Sequence, residues 1–377
     1  MTKVSLIKCE DYNKSLNAVK EAVDLLGGIS AFVKKGEKIL IKPNLLTDRV
    51  PDEAVTTHPE VIRAVIRLVK EAGAVPLVGD SPGGAYKERD GLQLLWTKTG
   101  MAKVCEEEKV QLVNFEAAGS QDIDIGDSNV KKVHISNAVL NCDGIINVPK
   151  LKTHSFMTFT AGVKNFYGCV PGLIKVEYHK MAPKPDQFGA LIANIYKYLK
   201  PKIRLTVLDG ILAMEGSGPS GGDVRKTDMI AASSDAALLD LYLLNILGGD
   251  IKGNFTLQKL GITKESFSQI EALGAKPSEF DTANFKFPST KALYMVPGFV
   301  IKILGGFLWI KPSISKDRCV SCMLCVKSCP EKAIDKINGE KQPSVDHKKC
   351  ISCFCCHEVC PHKAIDLEKS FLAKRFM

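Results

Sequence analysis

No dense block of lysine and arginine interrupts the 377-residue chain, although its formal net charge is +9. A charge spread that thinly favours solubility and suits small acidic ligands such as phosphates, but it does not lead one to expect nucleic acid as a partner. An apolar leader is also missing. The opening MTKVSLIKCEDYNK has neither a hydrophobic run nor a cleavage-like site, so the expectation is a cytoplasmic protein in a reducing compartment. The most apolar segment, residues 292–310 (ALYMVPGFVIKILGGFLWI), is broken by Pro297, Lys302 and three glycines. A spanning helix needs about 20 mostly apolar residues. Residues 291–312 therefore read as a packed apolar linker, with peripheral membrane contact through 292–310 as the alternative. Nucleotide fingerprints are lacking too: there is no Walker sequence, and no GxGxxG follows the first strand.

Cysteine is present, and unevenly. Of thirteen, Cys9, Cys105, Cys142 and Cys169 are scattered, and the other nine lie between Cys319 and Cys360. In a reducing compartment such clustering means metal rather than disulfides. Cys319, Cys322, Cys325 and Cys329-Pro330 repeat 31 residues later as Cys350, Cys353, Cys356 and Cys360-Pro361, and each copy ends in Ala-Ile-Asp. This is the spacing of the bacterial ferredoxin run, in which the fourth cysteine ligates the other cluster. Two [4Fe–4S] clusters are therefore expected, one on Cys319, Cys322, Cys325 and Cys360, the other on Cys350, Cys353, Cys356 and Cys329. Zinc prefers paired knuckles on a longer spacer and needs only four ligands per site. Cys355 lies outside both frames and reads as a bystander, with an alternative ligand or a redox-active thiol left open.

Residues 1–290 alternate strand-like runs (Val4–Ile7, Lys38–Ile41, Pro76–Asp80, Ile145–Val148, Leu205–Leu208, Met229–Ala232) with amphipathic stretches. Ser15 is the expected cap of a helix whose apolar face is Leu16, Val19, Val23 and Leu26. A second helix starts with His58-Pro59-Glu60, and a third spans Asp235 to Leu247. The fold class is α/β, a mostly parallel sheet in one or two lobes. A small α+β bacterial-type dicluster ferredoxin domain follows at 313–370.

Ligands in such sheets bind beyond the carboxyl ends of strands. Lys42 and Asn44 follow one strand and Asp80 another. After a third comes a glycine loop, Glu215 to Asp223, in which Gly216 and Gly218 are positioned to offer N–H groups to an anion. The densest polar stretch, Pro149 to Gly172, holds Lys150, Lys152, His154, Lys164 and Asn165. That mixture suits an anion pocket with Lys164, His154 and Lys152 as catalytic candidates. Solvated lysines and a core-edge histidine are the bland reading of the same residues.

Lys42-Pro43-Asn44, Thr57-His58-Pro59-Glu60, Gly79-Asp80-Ser81-Pro82-Gly83, Lys150-x-Lys152-Thr153-His154, Gly162-Val163-Lys164-Asn165-x-x-Gly168, Asp209-Gly210 and Gly216-x-Gly218-Pro219 together resemble the domain-of-unknown-function 362 family, which is often fused to a dicluster ferredoxin tail. That resemblance implies an iron–sulfur protein without naming a reaction. A fainter one ties His154, Ala161-Gly162, Lys164, Pro171-Gly172 and His179 to the central segment of nickel-pincer lactate racemase. It implies a cofactor anchor at Lys164, a nickel ligand at His179 and an acid/base at His154. Two departures set limits: Asn165-Phe166-Tyr167-Gly168 replaces that family's following residues, and the doubled glycine before its lysine is missing.

Three functions follow. The first is a reductase whose tail feeds low-potential electrons to a small anionic substrate. The second is an electron-transfer adaptor for a partner enzyme. The third is a racemase- or lyase-like enzyme with structural clusters. The missing flavin and nicotinamide fingerprints make a redox protein such as a ferredoxin the expected donor. The oxygen sensitivity of exposed low-potential clusters points to an anaerobic cytoplasm.

Overall fold

The strand-like runs close into one mixed sheet of ten strands, seen in a computed structural model that describes residues 1–83, 89–288, 309–336 and 340–376. The strands ahead of the polar stretch are β1 (Thr2–Lys8), β2 (Lys38–Pro43), β3 (Val75–Asp80) and β4 (Gln111–Asn114). A separate antiparallel hairpin follows, β5 (Ser120–Asp124) with β6 (Lys132–Ser136). The sheet resumes with β7 (Gly144–Val148), β8 (Lys150–His154), β9 (Thr158–Thr160), β10 (Ile203–Glu215), β11 (Asp223–Ser233) and β12 (Ile270–Gly274). Its order is β12-β1-β11-β10-β7-β2-β3-β4, and β8 and β9 branch from β10. The run from β10 to β4 is parallel, and β11 is antiparallel to both its neighbours.

Parallel strands covered on both faces need apolar side chains on both. Ile39 and Ile41 face one core with the helix Pro59–Glu71, whereas Leu40 and Ile145 face the other with the helices Pro185–Leu199 and Ala236–Ile246. In the helix Pro59–Glu71 the predicted stripe Val61, Ile62, Val65, Ile66 and Val69 is buried, each side chain contributing about 1.5–3 kcal/mol. Pro59 opens it, His58 Nδ1 accepts from Glu60 N–H, and Gly73 ends it at φ +74°. The first helix, Ser15–Asp24, corrects the expected cap. Ser15 is a buried helical residue, and Asp11 instead caps the 3₁₀ turn Tyr12–Lys14 just before it.

The chain after residue 308 builds two small antiparallel pairs, β13 (Ile310–Ile314) with β16 (Ile365–Lys369) and β14 (Ile334–Lys336) with β15 (Pro343–Val345). Strand β13 thus starts inside the segment read as linker; the rest of that segment, to residue 308, lies outside the described residues. The sequence repeat recurs in the backbone. Ser321 and Ser352, Met323 and Phe354, and Lys332 and Lys363 all adopt the left-handed conformation at φ between 48° and 61°. Non-glycine residues pay a steric cost there. Its recurrence at the same three places shows that both copies wind their cysteine loops alike. No helix among the described residues is long and apolar enough to cross a membrane.

Candidate functional site

Beyond the carboxyl ends of β2, β3 and β7 lies a pocket lined by Asn44, Asp80, Lys152, His154, Lys164 and Asn165. The polar stretch reaches it as the fully buried strand β8. Alternation along a strand places Lys150, Lys152 and His154 on one face. Beyond the two-residue offset, long-range pairing separates them.

Lys150 is spent within the fold. Its ammonium lies 3.0 Å from Asp209 Oδ2 and 2.9 Å from the Tyr12 hydroxyl, and both charged side chains are fully buried. Tyr12 in turn stacks on the His58 ring, 3.5 Å between centroids, and Asp209 accepts from His58 N–H. Burial lowers the His58 pKa to about 4. Lys42 is likewise paired, 2.7 Å from Asp80 Oδ1, while Asp80 Oδ2 accepts from Leu45 N–H. Gly168 covers that pair, and a β-carbon on it would stand 2.2 Å from Asp80 Oδ1 and 2.7 Å from Lys42 Nζ.

Lys152 donates to Asn44 Oδ1 at 2.9 Å and to the Val55 carbonyl at 2.7 Å. From Asn44 an amide chain runs on through Asn165 to Asn147 and the Gly162 carbonyl. Asn44 and Asn165 therefore hold the pocket wall in register. Lys175, which the sequence reading passed over, donates to the Ser81 and Val170 carbonyls and the Ser81 hydroxyl. Burial depresses its pKa to about 8. His179 also lines the pocket, stacked on Phe188 at 4.0 Å, and burial takes its pKa to about 3.

Lys164 differs from these lysines. Its ammonium lies 5.9 Å from the Tyr167 ring and makes no hydrogen bond or ion pair among the described residues. Burial lowers its pKa, against the opposing pull of Glu358. His154 Nδ1 accepts from the Phe156 and Met157 N–H groups, so in the neutral ring the proton sits on Nε2. Burial, with Lys164 adding to it, drives the His154 pKa well below the usual histidine range. Nε2 and Glu358 Oε1 are 3.2 Å apart, yet neither forms a hydrogen bond.

Glu358 belongs to the cysteine-rich region, as do the pocket residues Cys355 and Val359. That region docks through the glycine loop. Ser217 and Gly222 present carbonyls to His357 Nε2 (3.0 Å) and Lys363 Nζ (3.3 Å), and Ser220 Oγ donates to the Glu358 carbonyl (2.8 Å). Phe354 enters the main core edge-on to Phe156. Gly216 and Gly218 do not line the pocket. Gly216 N–H is bonded to the Lys286 carbonyl and Gly218 N–H to that of Gly216, and Gly218 lies so close to Thr153 that a β-carbon would sit 2.2 Å from its carbonyl oxygen.

The cysteines ring two small cavities. Cys319, Cys322, Cys325 and Cys360 line one, and Cys329, Cys350, Cys353 and Cys356 line the other, so each takes three thiols from one copy and one from its repeat. The fourth cysteine of each copy accepts an N–H, Cys329 from Ala333 at 3.1 Å and Cys360 from Ala364 at 3.3 Å. Among the described residues no three side chains converge on a single metal-ion position. Sulfurs ringing a cavity, with N–H donors aimed at two of them, are the donor set of iron–sulfur ligation. Cys355 lines both the second of these cavities and the pocket.

Residues 39–245 match the family described as "Domain of unknown function (DUF362)", and residues 312–367 match a 4Fe-4S dicluster domain. A thylakoid-associated protein of Synechocystis sp. is 35% identical over 291 residues, 76% of this chain and 87% of that one. Among solved structures, the lactate racemase apoprotein from Thermoanaerobacterium thermosaccharolyticum superposes with a TM-score of 0.42 at 14% identity. The alignment covers 66% of this chain and 56% of that chain, so this chain spans little more than half the length of that structure.

Proposed function

From the premise that the chain belongs to the DUF362 family and carries a 4Fe–4S electron-transfer domain, we propose that it is a reductase acting on a small substrate bound in the α/β pocket. Two [4Fe–4S] clusters are assigned by this reading to Cys319, Cys322, Cys325 and Cys360, and to Cys329, Cys350, Cys353 and Cys356. When bound, such clusters supply single low-potential electrons. The observation that carries the reading is the shared wall: Cys355 borders both the second cysteine cavity and the pocket. A carrier that only relayed charge between proteins would have no need of a polar cavity at that wall.

The chain's own residues then divide the work. Lys152, Asn44 and Asn165 brace the wall, Lys164 orients the substrate, and His154 presents its Nε2 proton beside Glu358. Val359 and Pro219 help close the space against water. The other cysteine cavity is nearer solvent, with Cys322 exposed and Val320 59% exposed, and suits docking of a redox protein such as a ferredoxin. That exposure also favours the adaptor as second reading.

The deciding experiment reduces the anoxically reconstituted protein, removes the reductant and follows cluster absorbance as small acceptors are added. A reductase is reoxidised by an acceptor that fits the pocket, and Lys164→Gln slows this while keeping its iron. Reoxidation by partner proteins alone would establish the adaptor. Peripheral membrane contact through 292–310, from the cytoplasm, belongs to the same proposal, and the thylakoid association of the Synechocystis relative supports the membrane contact alone. Liposome flotation with and without residues 292–308 tests the contact, and equal flotation would end it.

A further inference from the structure

The polar groups that the pocket leaves without protein partners define what it can hold. Lys42, Lys152 and Lys175 each have acceptors within the protein, and Asp80 is spent on Lys42 and Leu45 N–H. The Lys164 ammonium has none among the described residues. Neither has Thr160 Oγ1, on a side chain 3% exposed, nor Nε2 of His154, which is 1% exposed and 3.2 Å from Glu358 Oε1 without a hydrogen bond to it. Thr160 pairs with Lys152 across β8 and β9, Lys164 follows four residues later, and all of them line the cavity with His154.

Three lysines line this space against two carboxyl groups, Asp80 and Glu358. A half-buried ammonium facing a pocket without a protein acceptor is met by water or by an anionic oxygen brought by a ligand. The space is small. Centres of water-sized spheres reach about 70 Å3 of it, room for a few waters or a ligand of few heavy atoms.

We propose that the pocket seats a compact anion bearing a carboxylate or phosphate group, taken by Lys164 Nζ with the Nε2–H of His154 and the Thr160 hydroxyl as flanking donors. The proposal rests on the reading of this pocket as the substrate site and names the substrate class. Lys164 is the specificity-determining residue, because its charge is the one that no protein group neutralises by direct contact. Glu358, whose Oε1 stands 3.2 Å from His154 Nε2, limits the charge that a ligand can bring beside that donor.

The test is calorimetric titration of the anoxically reconstituted full-length protein with inorganic phosphate, malonate and the uncharged malonamide. The expected result is one site per chain for phosphate or malonate and none for malonamide, with the preferred anion telling a phosphate ligand from a carboxylate one. Lys164→Gln should weaken that binding at least tenfold, Lys164→Arg should restore it to within a few-fold, and Lys103→Gln on the surface should leave it unchanged. If Lys164→Gln fails to fold, His154→Gln takes its place, with a several-fold loss expected. Equal binding by wild type and Lys164→Gln, binding of malonamide, or no binding of either anion overturns the proposal. Its failure is separable from that of the reductase reading. Anion binding with clusters that stay reduced sinks only the reductase, and rapid reoxidation by an uncharged acceptor sinks only the anion seat.

Discussion

The two cysteine cavities come from near-copies of one phrase, yet their surroundings differ. Cys322 in the first is exposed, Cys319 and Cys325 are partly so and Cys360 is buried, whereas in the second Cys353 and Cys356 are buried and Cys329 and Cys350 partly exposed. The local backbone is the same, down to left-handed residues 31 positions apart. Ligation is thus written in the repeat, and the role of each site is written in what packs on it. Three side chains near the second copy's helix make the difference: Phe354 in the main core, Cys355 at the shared wall and Glu358 beside His154.

The largest effect expected is loss of a cluster. Cys322→Ser and Cys353→Ser should each lower iron from about eight to about four atoms per chain. Only Cys353→Ser should also disturb the pocket, read as weakened phosphate or malonate binding. Equal disturbance by both would erase the distinction between the cavities. Next comes the docking itself. Phe354→Ala removes an aromatic side chain from the main core and should cost about 3–5 kcal/mol in denaturant unfolding, while Met323→Ala, at the equivalent place in the first copy, should cost far less.

Acid should separate the two regions as well. His58 and His179 are buried with pKa values lowered to about 4 and about 3. The unfolded chain takes up their protons first, so the stability is intact above about pH 6.5 and is lost as pH falls toward those values. At pH 5 each costs about 2 kcal/mol. Unfolding of the α/β part at pH 7.5 and pH 5 measures this, and His179→Asn should reduce the difference by its own share of about 2 kcal/mol, leaving that of His58. The smallest expected effect is Ser220→Ala, about 1 kcal/mol from the lost hydrogen bond to the Glu358 carbonyl, seen as faster proteolysis between the two regions.

Much of this architecture is visible in local pattern. Each predicted strand lies inside an observed one, and the crossed cysteine sets reappear as the rings of two cavities. What local pattern hides is partnership across the chain. Lys150 resembles Lys152 in sequence, but Asp209, 59 residues on, and Tyr12, 138 residues back, take it out of the pocket. The stretch from Lys150 to His154 reads only as polar, because buried lysines do not look like a strand, yet it is one. The glycine loop looks like an anion cradle, but its carbonyls and Ser220 hold the cysteine-rich region instead. His58 is legible as a helix start and part of a motif, whereas neither Tyr12 nor Glu358 carries a local signal of its place. Cys355 gave no periodic signal at all, because its place depends on how two regions meet.

The most direct test is electron paramagnetic resonance of the reduced, fully loaded protein, wild type against Cys355→Ala, with the two cluster signals assigned from Cys322→Ser and Cys353→Ser. A thiol that stands between the inner cavity and the pocket should, when removed, change the signal lost in Cys353→Ser and leave the other as it was. A change confined to the signal lost in Cys322→Ser, no change in either, or zinc where iron is expected would contradict the account.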